Sequence, residues 1–364
     1  MEKLKALVID DTIVYRKIVG DVLKEIPFVE VVGTANNGKI ALSKIDTLKP
    51  DFITLDIEMP EMNGIEVLQT LKNKPGAPVV VMLSTLTQHG SEMTIKALEL
   101  GAFDFVPKPD QGKMAENMDK VREALFPIVN TLKRQKEAKL KLHEKVQPKP
   151  LSVASDKPKQ QAPLIVQKPV VRSKSEIVGI GISTGGPNAL TRMIPMLPGN
   201  LKAPVLIVQH MPPLFTASLA NSLNNKSPLH IKEAENGDTI ESGKIYIAPG
   251  GKQMKIVAGA DGISRKIKIT DDPPENSCKP SVDYLFRSIA QYYIGRSTGV
   301  IMTGMGSDGT KGLLQMKNNG SFVIAQNEET CTVYGMPKEP IESGIADVVV
   351  PLEKIAEEIV KSVI

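Results

Sequence analysis

The sequence predicts two α/β domains, each a doubly wound parallel sheet, joined by a flexible connector. Three observations carry this. The chain has 364 residues, more than one hydrophobic core usually organises, because domains cluster near roughly 100 to 200 residues. Short apolar runs alternate with helix-period segments in both halves, the pattern of a parallel sheet covered by helices. Between the halves, Pro148, Pro150, Pro158, Pro163 and Pro169 interrupt the chain, and proline removes backbone donors and blocks helix continuation.

Taken in order, Leu4 to Ile9, Val29 to Gly33, Phe52 to Leu55, Val79 to Leu83 and Phe103 to Val106 read as strands. Between the first two, Val14, Ile18 and Val22 recur at i, i+4 spacing as on one buried helix face, with Pro27 beyond the helix end. Lys133 to Val146 reads as a charged helix, and the proline-interrupted stretch up to Val170 as a mobile, partly extended tether. In the second half Ile177 to Ile182, Val205 to Val208, Lys244 to Ala248, Val300 to Thr303 and Phe322 to Ala325 read as strands, several followed by glycine-rich turns.

Charge narrows the function classes. The net charge is +4, but residues 131–176 hold 12 Lys/Arg against 4 Asp/Glu. Residues 1–130 carry 15 basic and 19 acidic side chains, and residues 177–364 carry 18 of each, so neither domain offers a nucleic-acid footprint. No apolar run approaches the roughly 18 residues of a spanning helix, and the first strand stops at Asp10 and Asp11, unlike a secretory leader. A cytoplasmic protein without membrane insertion is expected. Cys278 and Cys331 make no disulfide framework and lack paired zinc spacing, so each reads as a buried or idle thiol in a reducing compartment.

Ligands of open parallel sheets sit beyond the carboxyl ends of the strands. In the first half those ends carry Asp10 and Asp11, Asp56, Ser84, and Lys108 followed by Pro109. A single aspartate there is an ordinary helix cap, but three crowded carboxylates repel one another, and a hard divalent cation such as Mg²⁺ relieves this. Lys108 would pair with an incoming phosphoryl group and Ser84 could donate to it.

In the second half the first strand runs into Gly181-Ile182-Ser183-Thr184-Gly185-Gly186-Pro187. This satisfies G-x-S-x-G at a strand-to-helix turn, the setting of an exposed nucleophile; a phosphate cradle or a plain tight turn would fit the same segment. A serine nucleophile needs a base, and the chain has four histidines. His210 ends a strand on the same rim, and Asp308 follows another strand within Thr303-Gly304-Met305-Gly306-Ser307-Asp308-Gly309. His230 reads as an edge-strand residue, while His89 and His143 read as surface. The order Ser, His, Asp disfavours the usual α/β-hydrolase arrangement, yet triads are defined by geometry.

Residues 3–128 resemble a response-regulator receiver domain, on the Asp10-Asp11 pair, Asp56 followed by Met59-Pro60 and Gly64, Ser84 and Lys108-Pro109. The resemblance implies that Asp56 accepts phosphate from a sensor histidine kinase (CheA). Mg²⁺ would be held by Asp11 and Asp56 with Asp10 assisting, and Ser84, Lys108 and Phe105 would serve as the phospho-switch. From about Ile177 to Leu352 the chain resembles the CheB family of chemotaxis protein-glutamate methylesterases. The matching blocks are the Ser183 turn, Gln209-His210-Met211-Pro212, Ala248-Pro249-Gly250-Gly251, Pro280-Ser281-Val282-Asp283, the Asp308 loop and Tyr334-Gly335-Met336-Pro337. Gln253 and Cys278 stand where that family commonly has histidine.

The resemblance implies a flavodoxin-like receiver (1–128), a linker (129–175) and a Rossmann-like catalytic domain (176–364). It further implies a triad of Ser183, His210 and Asp308, with Met305 and the Thr184 region lining the oxyanion site, and no cofactor for the esterase. The implied substrates are glutamate methyl esters, and particular glutamines, of methyl-accepting chemotaxis receptors, with the unphosphorylated receiver inhibiting the enzyme. A non-enzymatic regulator with an anion cradle, or a phosphatase or peptidase, stays open on the triad residues alone.

Overall fold

The computed structural model describes residues 3–109, 113–145 (side chains through 138) and 174–363. The proline-rich tether expected from the sequence lies outside the described residues.

Five strands, β1 (Leu4–Ile9), β2 (Val29–Ala35), β3 (Phe52–Asp56), β4 (Val79–Thr85) and β5 (Asp104–Lys108), form a sheet in the order β2-β1-β3-β4-β5 with every neighbour parallel. This is the flavodoxin-like doubly wound order. Its helices are α1 (Ile13–Lys24), α2 (Gly38–Leu48), α3 (Gly64–Leu71), α4 (Gln88–Glu99) and α5 (Met114–Lys145). β3 is buried along its whole length, as expected of a central strand covered on both faces. Helix starts follow local chemistry: Asn63 and Glu66 make a reciprocal capping box on α3. Asn37 and Thr87 cap α2 and α4 through their side chains.

One expectation about α1 is corrected. Ile18 and Val22 are buried, but Val14 is 58 % exposed, and the buried face is completed by Val19 and Leu23. Successive i+4 steps drift around a helix of 3.6 residues per turn, so a stripe begun at Val22 has rotated away from the core by Val14. Helix α5 also runs on without a break past residue 128, through Pro127, to Lys145.

The second sheet has seven parallel strands, β6 (Ile177–Ile182), β7 (Val205–Gln209), β8 (His230–Glu233), β9 (Lys244–Ile247), β12 (Ser297–Ile301), β13 (Phe322–Gln326) and β14 (Val348–Val350), in the order β14-β13-β12-β6-β7-β9-β8. A separate antiparallel pair, β10 (Gln253–Ala258) and β11 (Arg265–Thr270), lies beside it. The helices are α6 (Gly186–Met193), α7 (Phe215–Asn224), α8 (Val282–Tyr292), α9 (Thr310–Asn318), α10 (Lys338–Glu342) and α11 (Leu352–Val363). β6 and β12 are fully buried at the centre, and the chain reverses direction across the sheet there, where ligands of such sheets bind. Gly181 has a packing reason: a Cβ on it would lie 2.4 Å from Val282, so glycine lets α8 press its first turn onto β6.

Candidate active site

The three neighbouring strands β12, β6 and β7 deliver their carboxyl ends to one rim. Ser183 leaves β6 in a tight turn closed by Ser183 N–H to Thr303 O (3.0 Å) and Gly186 N–H to Ser183 O (2.7 Å). Gly185 adopts φ +78° there, and a Cβ on it would strike Thr332 at 2.3 Å, so the turn needs glycine on both conformational and steric grounds. His210 leaves β7 with its amide on Ile182 O (3.2 Å).

Asp308 is buried and densely held. It accepts from Val282 N–H (2.7 Å), Ser281 Oγ (2.9 Å), Asn276 Nδ2 (2.8 Å) and Asp283 N–H (3.2 Å), and meets His210 Nε2 at 2.8 Å. Burial alone would raise its pKa, but the His210 bond and the amide donors outweigh this and hold it near 2. Burial would likewise lower His210, yet the Asp308 carboxylate and Cys278 raise it to about 9.

The structure brings Ser183, His210 and Asp308 to one rim and joins the last two. Among the described residues the Ser183 hydroxyl makes no hydrogen bond. The free face of the imidazole, Nδ1, instead meets Cys278 Sγ at 3.7 Å, which corrects the expectation of an idle thiol. The resemblance marked Cys278 as a departure from histidine, but no spacing placed its thiol at the rim, because its loop arrives there through Asn276 and Ser277, both at positive φ (52° and 62°). Gln253 is buried, accepts from Ser281 N–H (2.8 Å) and donates to Pro273 O and Cys278 O, so it supports the loop. His230 lies exposed on the edge strand β8, and His89 is exposed at 3.9 Å from Glu58. The His143 side chain lies outside the described residues.

Thr184 and Met305 flank Ser183: Gly304 packs so closely that its Cβ would lie 2.8 Å from the Ser183 Cβ, and Met305 follows it. Met305 lines a cleft of about 650 Å³ with Tyr334 and Lys338 on one side and Thr131, Arg134 and Gln135 of α5 on the other. Gln135 Nε2 donates to Thr332 O at 2.7 Å across it.

In the first domain, carboxylate oxygens of Asp10, Asp11 and Asp56 lie within 4.8 Å of one another. Lys108 Nζ sits 2.6 Å from Asp10 Oδ2 and 2.7 Å from Asp56 Oδ2. Burial raises the Asp56 pKa to about 6, with Lys108 opposing and the neighbouring aspartates adding to the rise. Three hard oxygen donors in mutual repulsion fit a divalent cation such as Mg²⁺. Ser84 is buried, donates to Gly90 O (3.2 Å) and accepts from Thr94 Oγ1 (2.6 Å), both on α4. A Cβ at Gly64 would lie 2.1 Å from Asp56 O, which fixes α3 tightly against this acid.

The two domains meet through α4 and the β5 end. The Phe105 ring stacks on Phe215 at 4.5 Å. Ser91 Oγ lies 2.7 Å from Ser218 Oγ, and Thr184 Oγ1 donates to Asp104 Oδ2 at 2.7 Å. Glu99 Oε1 accepts from Ser222 (2.6 Å) and pairs with Lys226 Nζ (2.5 Å). The hydrophobic core is continuous across this contact, from Phe105 to Phe215. Burial raises Asp104 to about 6.

Comparison with known proteins agrees with both halves. Residues 6–119 match the family model of the response regulator receiver domain, and residues 178–359 that of the CheB methylesterase. A Desulfotalea psychrophila protein named protein-glutamate methylesterase/protein-glutamine glutaminase is 57 % identical over 363 residues, covering 100 % of this chain and 99 % of its own. A Bacillus subtilis protein of the same name is 43 % identical, covering 99 % and 98 %. The crystal structure of the Thermotoga maritima CheB methylesterase catalytic domain is 44 % identical, covers 52 % of this chain and 99 % of its own, and superposes with a TM-score of 0.50. With a receiver-type sheet packed directly on a Ser-His-Asp rim and relatives matching from end to end, the chain belongs to the CheB methylesterase family.

Proposed function

We propose that this protein hydrolyses glutamate methyl esters, and deamidates particular glutamines, on methyl-accepting chemotaxis receptors at the cytoplasmic side, under control of phosphorylation at Asp56. The observation that carries the reading is the His210–Asp308 pair (2.8 Å) on the rim beside the Ser183 turn, in a chain similar throughout to proteins named for that reaction.

Ser183 is the nucleophile and His210 the base. With Nε2 committed to Asp308, Nδ1 is the nitrogen left to take the serine proton. Ser183 attacks the ester carbonyl, and the His210 proton passes to the departing methanol (or ammonia from glutamine). Water, deprotonated by His210, then releases free glutamate and regenerates the serine. Asp308 stabilises the imidazolium, as its pKa near 2 keeps it ionised. The Thr184 and Met305 amides donate to the developing oxyanion, where one such donor contributes about 10² to 10³ in rate.

Control rests on the interface. The receiver contacts Thr184, next to the nucleophile, through Asp104, and α5 borders the cleft. Asp11 and Asp56 with Asp10 would hold Mg²⁺, which supplies charge neutralisation for phosphoryl transfer from a histidine kinase such as CheA. Lys108, now shared by Asp10 and Asp56, turns to the phosphoryl group, and Ser84 leaves Gly90 and Thr94. Phe105 then slides from Phe215, loosening the interface. No helix among the described residues is long and apolar enough to cross a membrane.

The test is methanol release from methylated receptor by the whole protein, with and without a small phosphodonor and Mg²⁺. Release should rise with the donor, vanish in Ser183→Ala and lose stimulation in Asp56→Ala. Absence of release from a receptor that a known esterase demethylates would overturn the reading.

A further inference from the structure

We propose that Cys278 and His210 form an inhibitory binding site for a thiophilic divalent cation of the zinc class, laid directly over the base of the active site. The blocking effect rests on the reading of His210 as the base; the binding site itself does not.

The geometry comes from two contacts on one imidazole. Cys278 Sγ lies 3.7 Å from Nδ1, and Asp308 Oδ2 lies 2.8 Å from Nε2. A tetrahedral zinc ion with ordinary Zn–S and Zn–N bonds separates its sulfur and nitrogen ligands by about 3.6 Å, so the pair accepts the ion with little displacement. Histidine ligands of zinc characteristically give their other ring nitrogen to a carboxylate, which fixes the tautomer and aims the ring. Asp308 already does this. Its remaining acceptor positions are occupied by Ser281, Val282, Asn276 and Asp283, so it is held as an orienting partner, although one of its oxygens lies within 4.8 Å of a donor atom of each of the other two residues.

The donor set selects the ion. A thiol with an imidazole favours zinc over magnesium or calcium, which take oxygen ligands. The three oxygen donors Asp10, Asp11 and Asp56 in the receiver have the opposite preference, so one chain carries a hard site and a soft site of distinct selectivity. Cys278 is partly exposed, which leaves the ion a route from solvent. Two protein ligands leave the other positions to water, so binding is reversible and weaker than at a four-ligand structural site. On binding, Cys278 gives up its thiol proton and the imidazole its Nδ1 proton, both to solvent, and the sulfur and the freed Nδ1 lone pair make the Zn–S and Zn–N bonds. No electron is transferred. The occupied Nδ1 cannot accept the Ser183 proton, and turnover stops.

Cys331 is the internal comparison. Burial beside Glu328 and Glu329 pushes its thiol up to about 12, and no histidine faces it among the described residues.

The test titrates Co²⁺ alone into the metal-free whole protein without Mg²⁺ and follows the thiolate-to-cobalt charge-transfer band in the near ultraviolet. The band should saturate at one ion per chain, disappear on adding Zn²⁺ or a chelator, survive in Cys331→Ala and be lost in Cys278→Ala. In His210→Ala, affinity should fall at least tenfold. In parallel, saturating Zn²⁺ should cut methanol release at least tenfold, reversibly, with Cys278→Ala resistant relative to its own metal-free rate. A band that persists in Cys278→Ala, vanishes with Cys331→Ala instead, or never forms overturns the site. A Cys278-dependent band with unchanged turnover overturns the inhibition. If the protein shows no methanol release at all, the esterase reading fails while the cobalt band still decides the site.

Discussion

Glu99 is the interface residue whose removal should most cleanly separate regulation from chemistry. It ends α4, outside both sets of site residues, and a single oxygen accepts from Ser222 and pairs with Lys226. Its side chain is only 17 % exposed, so the pair is partly shielded from water. A hydrogen bond to a charged acceptor is worth about 1.5 to 3 kcal/mol, and a partly exposed ion pair adds up to about 1 kcal/mol. Taking about 2 kcal/mol for the loss in Glu99→Ala, the closed-to-open ratio falls by roughly 30-fold. Methanol release by the unphosphorylated whole protein should therefore rise about 10- to 30-fold, limited only by the fully open rate. The phosphorylated rate should stay at its wild-type value, because Glu99 touches neither Ser183 nor Asp56. Lys226→Ala should act in the same direction, and the double variant should fall short of the sum, since both remove one contact. An unphosphorylated rate equal to wild type, in a variant that melts normally, would refute closure through this face; an equal rise in the phosphorylated rate would refute it too.

Three other expectations follow from named contacts. Asp308→Asn should lower kcat by about 10⁴-fold, as an amide no longer fixes the imidazole tautomer, with receptor binding retained in a pull-down; near-normal turnover would remove Asp308 from the mechanism. Asp104 is raised from 3.8 to about 6 in the closed form, so closure binds a proton. Its contribution is full below about pH 4 and is lost as pH rises through 6, with an upper limit of about 3 kcal/mol reduced by its partial exposure. Interdomain distances from paired spin labels should lengthen between pH 5 and 7, and Asp104→Asn should flatten that change. Gly64→Ala forces a Cβ to 2.1 Å from Asp56 O and should lower the melting temperature of the receiver by several degrees, consistent with overpacking losses of about 1 to 3 kcal/mol; an unchanged melt would show that the backbone yields there.

The sequence made the sheets legible because their strands are buried runs punctuated by polar residues at one end. Asp10, Asp56 and Lys108 follow apolar strands in the receiver, and Ser183 and His210 do so in the second domain; strand direction alone put each set on a common rim. The β10–β11 pair escaped notice because Gln253–Ala258 and Arg265–Thr270 mix lysine with isoleucine on a half-covered surface. β14 is three partly exposed valines, too short for any periodicity. The Cys278–His210 contact was unreadable for another reason: it depends on two left-handed residues in a loop, and no spacing rule encodes that. The domain contact was equally hidden, since Phe105, Asp104 and Glu99 announce neither their partners nor their distance from Phe215, Thr184 and Lys226.

Helix α5 leaves the receiver and reaches the cleft beside Met305 as one rod. At 1.5 Å per residue, Gln135 stands about 32 Å from Met114, so a tilt of about 10° at the helix start would swing it by roughly 5 Å. That exceeds the reach of its 2.7 Å bond to Thr332, and Arg134 would move with it. Pro127, which leaves one turn of the ladder without its donor, offers a joint along the rod. By leverage, a small rearrangement at the Asp56 end would become a large displacement at the mouth of the cleft, and stiffening the joint by Pro127→Ala would transmit more of it.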